Sequence, residues 1–465
     1  MNMINVRRLA AMTFLGAGML SDISAQDFSL QADTLNEARL PAQWDLQSCI
    51  DYALEQNITI RKNRVTAEST QIDVKTAKAA LFPSLSFSTS QQVVNRPYQE
   101  TSSRVSGSDI ISSNSKTSYN GNYGLNASWT IYNGSKRLKT LKQERLNNQV
   151  AELDVATSEN MIKESIAQIY IQILYAAESV RVNENTLQVS IAQRDRGQEL
   201  LNAGSIAKSD LAQLEAQVST DRYQLVTAQA TLQDYKLQLK QLLELDGENE
   251  MNVYLPKLSD ENVLAPLPAK KDVYVSALAI RPEIEASKLN VEASELGIDI
   301  AKSSYFPTIS LSAGIGTNHT SGSDFTFGEQ VKNGWNNSIG LSVSVPIFNN
   351  RQTKSAVQKA KLQRETDMLS LLDEQKALYK TIESLWLDAN SAQQRYAAAN
   401  EKLRSTQISY DLISEQFNLG MKNTVELLTE KNNLLQAQQE QLQAKYMAIL
   451  NTQLLKFYQG DKLTL

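Results

Sequence analysis

Apolar residues recur at three- and four-residue spacing over most of the chain, and this period predicts helices of unusual length. One run covers about 136–202 and resumes over 206–245 after Gly204. A second covers about 351–418 and resumes over 422–458 after Gly420. Neither contains proline, and both are rich in Ala, Leu, Gln, Glu and Lys, all strong helix formers. Ile162, Ile166, Ile169, Ile173 and Ala177 trace one stripe, and Gly197 is the weak point of the first run. Such a helix reaches ~100 Å at 1.5 Å per residue. No globular domain needs that length, so coiled-coil packing is expected. Shorter helices are predicted near 46–81 and 272–305. Each stops at a Phe-Pro pair, because proline disfavours helix in the residue before it.

Between the helices the period changes to two. Near 84–94, Leu85, Phe87 and Val93 stand among serines. Near 120–131, Tyr123, Leu125, Ala127, Trp129 and Ile131 alternate with Gly, Asn, Ser and Thr. Ile309, Leu311, Ala313 and Ile315 do the same near 308–317, and Ile339, Leu341, Val343, Val345 and Ile347 near 338–347. Four strands are predicted, each with one apolar face and one small polar face. An ordinary sheet half covered by helices would give this pattern. So would strands facing lipid: the lengths of about 9–11 residues suit a tilted bilayer crossing. The Ser/Gly/Asn faces suit a wet lumen, and Trp129 and Tyr132 suit an interfacial girdle. Ser- and Asn-rich stretches at 95–120 and 318–337 then read as loops joining the strands in pairs. On the lipid reading four strands leave open edges, and closure needs about eight or more, so two or more copies must combine.

The chain repeats itself. Residues 53–90 align without a gap on 277–314 at an offset of 224, sharing Ala53/Ala277, Ile60/Ile284, Glu68/Glu292, Phe82/Phe306 and Pro83/Pro307. GLNASWTIYNGSKR (124–137) aligns on GLSVSVPIFNNRQT (340–353) at an offset of 216, which also pairs Gly204 with Gly420. The expected organisation is a leader over 1–25, a first repeat over 26–245, a linker or equatorial segment over 246–271 with three prolines, and a second repeat over 272–465.

Composition narrows the function. Net charge is −5, which disfavours a nucleic-acid binder. One Cys excludes an intramolecular disulfide, and one His disfavours a catalytic triad or a multi-histidine metal site. No cofactor is expected. Neither a phosphate-binding GxxxxGK[ST] loop nor HExxH or GxSxG occurs, so an enzyme is not expected. His319 lies in a Ser/Gly/Asn stretch and reads as an exposed loop residue. Arg7 and Arg8, the apolar run Leu9–Leu20 and Ile23-Ser24-Ala25 read as a secretory leader with its cleavage site. Leu46-Gln47-Ser48-Cys49 faintly resembles a lipid-attachment box. The charged residues before it favour Cys49 as a buried helix residue instead.

LQSCIDYALEQN, the duplicated Phe-Pro–strand junction, WTIYNG, PIFNN and the Gly204 and Gly420 turns together resemble the TolC family of outer-membrane efflux channels over about 44–460. The fold this resemblance implies is mainly α with a membrane β part. Each chain would give four strands to a shared 12-stranded outer-membrane barrel in a homotrimer, standing on a coiled-coil barrel in the periplasm. The implied function is a passive exit duct for drugs, other small molecules or an exported polypeptide. Its implied partners are outer-membrane lipid, a periplasmic adaptor and an inner-membrane transporter. A secreted coiled-coil scaffold without a pore is the alternative. The resemblance also implies adaptor-docking tips at Ala203, Gly204, Ser205, Leu419, Gly420 and Met421. It places the periplasmic gate at Ser209, Asp210, Phe417, Lys422, Glu426 and Thr429. Phe417 and Lys422 stand where the family has Tyr and Arg. Glu426 and Thr429 match two Asp positions, so three copies would still give one acidic ring.

Overall fold

The computed structural model describes residues 41–464 except 99–101, 107–108, 114–115, 246–250, 257–262, 322 and 324. The expected leader lies outside the described residues, and so do the first residues of the expected first repeat. From Asp45 onward the chain runs α1 (Leu46–Gln56), α2 (Ile58–Ala79), β1 (Ser84–Asn95), β2 (Ser102–Ser106), β3 (Asp109–Ser113), β4 (Thr117–Asn133), α3 (Lys136–Asn202) and α4 (Lys208–Leu242). It continues through α5 (Lys270–Ile280), α6 (Pro282–Ser303), β5 (Thr308–Thr320), α7 (Phe327–Asn333), β6 (Asn336–Ser344), α8 (Gln352–Asn418) and α9 (Thr424–Gln459).

The helix expected over 46–81 is two helices, and so is that over 272–305. Asn57 ends α1 and begins α2: its Oδ1 accepts from the backbone N–H groups of Thr59 (2.9 Å) and Ile60 (3.4 Å). In the second half Arg281 is extended, and Pro282 opens α6 at the position where its missing N–H costs nothing. Cys49 is fully buried in α1, beside Ile50 and Ala53 of the same face. Burial pushes its thiol up to about 12.

α3 and α8 each contain 67 residues. Each folds back into a partner helix, α3 onto α4 and α8 onto α9, and α9 also packs on α3. Where the strands feed these helices, both turns take left-handed backbone: Gly134 and Ser135 (φ 67° and 63°), Asn350 and Arg351 (φ 49° and 67°). Gly134 is required for a second reason, because a Cβ there would lie 2.7 Å from the Ser303 carbonyl oxygen. Among the described residues no helix is long and apolar enough to cross a membrane.

β1, β4, β5 and β6 form one antiparallel sheet in that order, with β1 and β6 at its edges. The registers align the alternating residues into rows. Leu85, Ala127, Ala313 and Ile339 form one row, and Ser86, Asn126, Gly314 and Ser338 form the next. The apolar face stays open: Leu85, Phe87, Leu341 and Val343 are exposed, and Ile339 is 83% exposed. This removes the reading of a sheet half covered by helices. Trp129 ties the sheet to the helices, its indole Nε1 donating to the Leu81 carbonyl at 2.8 Å.

The expected loops hold more structure than their composition implied. The 95–120 stretch contains the β2–β3 pair, and β4 begins at Thr117. The 318–337 stretch contains α7, which caps the sheet end through Thr317 Oγ1 donating to the Val331 carbonyl (2.7 Å). His319 is a correction. It sits in β5, half-buried, with ring centroids 5.1 Å from Tyr119, 5.9 Å from Tyr123 and 5.0 Å from Phe327. It lies opposite Gly121, and the aromatic rings reach it diagonally from β4 and from α7, which the polar residues flanking it in sequence conceal.

The described part of the join between the halves is tied to α8 at the helices' middle. Trp386 Nε1 donates to the Pro268 carbonyl (3.0 Å), and Gln393 Nε2 to those of Val263 (2.9 Å) and Ala265 (2.8 Å). Packed against Leu267 and Trp386, Val273, Ala277, Ile284, Leu378, Ile382, Ala389, Leu455 and Tyr458 make a buried apolar cluster.

Candidate functional site: the hairpin tips

Each helical hairpin reverses through the same backbone motif. At the first, Ser205 N–H donates to the Leu200 carbonyl (2.8 Å) and Gly204 N–H to that of Leu201 (2.9 Å). At the second, Met421 N–H donates to Gln416 (2.8 Å) and Gly420 N–H to Phe417 (2.9 Å). This is the Schellman arrangement, which satisfies the last helical carbonyls and needs a left-handed residue. Gly204 (φ 74°) and Gly420 (φ 73°) supply it. Ala203, Gly204, Ser205, Leu419, Gly420 and Met421 are all exposed, so the residues expected to dock an adaptor form free ends.

The tips differ in chemistry. The first is small and polar. The second presents the exposed side chains of Leu419, Met421 and Val425. Arg196 reaches across, its Nη2 donating to the Asn418 carbonyl at 3.5 Å.

The residues expected at the gate fall into three settings. Ser209 is exposed, and Asp210 turns back to accept from Ala207 N–H (3.0 Å), capping α4. Glu426 occupies the matching place in α9. Its Oε2 accepts from Asn423 N–H (3.2 Å) while Asn423 Oδ1 accepts from Glu426 N–H (2.9 Å), a reciprocal capping box. Lys422 Nζ donates to Glu426 Oε1 at 2.6 Å. The Lys422 hydrogen bond and then the Asn423 N–H hold the Glu426 carboxyl below the usual glutamate range. Thr429 is exposed, with its hydroxyl donating to its own helix at the Val425 carbonyl (2.7 Å). Phe417 lies in the last turn of α8, in a buried setting where the two hairpins meet. It is 2% exposed and packs with Leu214 of the first hairpin and Leu427 of the second. A ring without a hydroxyl has no reason to stay at a polar contact, and burial of apolar area draws it inward.

Sequence reasoning missed a second group above the tips. Ser190 of α3, Asp221 of α4 and Lys431 of α9 are all buried and mutually bonded: Lys431 Nζ donates to Asp221 Oδ2 and to Ser190 Oγ, and Ser190 Oγ to Asp221 Oδ2. Gln217 Nε2 donates to the other carboxylate oxygen of Asp221 at 2.9 Å. The signal was present, since Lys431 interrupts the apolar series Leu427–Leu434 on α9 and Asp221 follows Leu214 and Val218 on α4. Among the described residues no group of His, Cys, Asp and Glu is gathered as a metal site.

The family model for outer membrane efflux proteins matches residues 49–244 and 273–460. The outer membrane efflux protein BepC of Brucella suis biovar 1 is 25% identical over 294 residues, 63% of this chain and 61% of its own length. The chain thus spans under two thirds of that relative. The outer membrane protein TolC of Escherichia coli K12 is 24% identical over 365 residues, 74% of this chain and 71% of its own. Among solved structures the fold is similar to that of CusC, with a TM-score of 0.77 at 19% identity, covering 90% of this chain and 93% of that one. With both matched spans falling on a helix–strand–hairpin series, the chain belongs to the outer membrane efflux protein family, that of TolC.

Proposed function

We propose that three copies of this chain form an outer-membrane channel that extends into the periplasm as a helical tunnel. It is a passive, non-enzymatic exit duct for substrates delivered by an inner-membrane transporter through a periplasmic adaptor. The observation that carries this reading is the sheet. Among the described residues its four antiparallel strands leave the outer edges of β1 and β6 unpaired, and these two strands run in opposite directions. The β6 edge of one copy therefore meets the β1 edge of the next in antiparallel pairing, and a closed ring leaves no edge in hydrocarbon. The exposed apolar rows would then face lipid, and the Ser/Gly/Asn rows the lumen. Three copies give twelve strands, the number implied by likeness to the family.

The pore-free scaffold is not favoured, because water would leave the apolar face of the sheet without a partner. An internal duplication is supported by the equal lengths of α3 and α8, by the matching tip motifs and by the paired family matches. The leader over 1–25 and the docking and gate roles of the tips belong to this same proposal. It is tested by membrane fractionation followed by the mass of the unboiled, detergent-solubilised protein. A trimer in the outer-membrane fraction is expected. A water-soluble monomer or dimer overturns the channel.

A further inference from the structure

Near its C-terminal end α3 buries Asn183, Ser190 and Gly197, seven residues apart, so its seam there is small and polar rather than apolar. Gly197 lets α4 approach until a Cβ would lie 2.4 Å from Leu214 Cδ1. Such a seam has little side-chain relief to fix how neighbouring helices slide. The charges of Lys431 (4% exposed) and Asp221 (2% exposed) lie across it. A buried ion pair is a weak source of net stability, because desolvation offsets its attraction, yet breaking one partner away is costly. Its value is directional: it is made in one register or not at all.

We propose that Ser190, Asp221 and Lys431 form a dry latch that holds the second hairpin against the first within each chain, and that parting it limits opening of the tunnel end. The inference rests on the channel reading above. Three observations carry it. The three residues come from three helices and join both hairpins. Lys431 stands roughly three turns from the Gly420 tip, where a tilt of α9 is converted into separation from α3 and α4. The gate positions Lys422 and Phe417 give no ion pair across the hairpins: Lys422 pairs with Glu426 within the second hairpin, and Phe417 meets Leu214 of the first by apolar packing. The other polar links between the hairpins are more accessible. Gln193 Nε2 donates to Tyr410 OH (2.8 Å), Ser179 Oγ to Gln439 Oε1 (3.2 Å) and Gln217 Nε2 to Asn432 Oδ1 (3.5 Å). These neutral pairs are half-buried or exposed and can exchange for water with little loss.

The test is single-channel recording of the purified full-length protein in planar bilayers, comparing wild type with Ser190→Ala, Asp221→Asn, Lys431→Gln and the Asp221→Asn/Lys431→Gln double variant. Each charge variant is expected to raise the open fraction several-fold. The double variant should rise no further than the larger single, because both remove one contact. Ser190→Ala keeps the ion pair and should give a smaller rise. It also decides the matter if a charge variant fails to assemble, as judged by its unboiled mass. Trimers of all variants conducting as wild type, or charge effects that simply add, overturn the latch. If wild type itself forms no pore, the channel reading fails and the latch falls with it.

Discussion

Asn57 Nδ2 donates to the carbonyl of Leu242 at 3.0 Å, so the residue that divides α1 from α2 also pins the last residue of the first hairpin. One buried amide thus serves two ends at once, with its oxygen capping α2. Asn57→Ala should cost about 1–2 kcal/mol, the range for a lost cap. Asn57→Asp should recover part of it, because the cap oxygen stays while the donor is lost. Thermal unfolding of the two variants checks the order. Equal losses would show that only the bond to Leu242 matters.

Cys49 is inside the α1 face and its thiol is held up at about 12, so little thiolate exists at neutral pH. The folded protein should resist a maleimide at pH 7 and react fully once unfolded in guanidinium. Mass spectrometry reads both states, and it would also reveal a lipid on Cys49. Rapid labelling of the native protein would mean that α1 opens readily.

Lys422 and Glu426 should act with opposite signs on ion preference. Glu426→Gln is expected to lower cation preference and block by multivalent cations. Lys422→Gln should raise both, by unmasking the carboxylate. Bilayer reversal potentials measure the change. If neither variant moves them, Glu426 does not line the constriction.

The same pair has a pH signature. The Glu426 carboxyl titrates below its ordinary value of 4.5 when folded, so its pairing is complete above that pH and is lost as pH falls through the folded value. Cation preference in the wild type should therefore persist somewhat below pH 4.5. In Lys422→Gln the midpoint should move up toward 4.5, since the largest cause of the depression is gone. A midpoint that does not move would assign the effect to the Asn423 N–H alone.

Gly204 and Gly420 have open space where a Cβ would point, so their constraint is backbone conformation and not crowding. Gly420→Val should destabilise the tip by roughly 1–2 kcal/mol, the penalty for a left-handed residue with a side chain. Gly420→Asn should cost less. Hydrogen exchange across 416–424 would localise the loss, and exchange that rises only elsewhere would contradict it.

The long helices and the strand alternation were legible because each is a repeating pattern summed over many residues. So was the Phe82–Pro83 stop, a local steric rule. What escaped reading depends on partners far along the chain. Asn57 looks like any polar residue in a helix until Leu242 arrives beside it. Asp221 and Lys431 stand at apolar positions of their stripes, but which charge meets which is fixed only where α4 and α9 pack together beside Ser190 of α3. His319 is flanked by polar residues in sequence but by aromatic ones across the sheet.

The two unpaired sheet edges have a consequence for inheritance. A chain damaged at β1 still offers a sound β6, and the reverse holds as well. In the proposed ring it would be recruited by intact copies and leave the seam unsealed. Damage at an edge should therefore be dominant in a cell that also makes the intact protein, whereas damage that stops the chain from folding should be recessive.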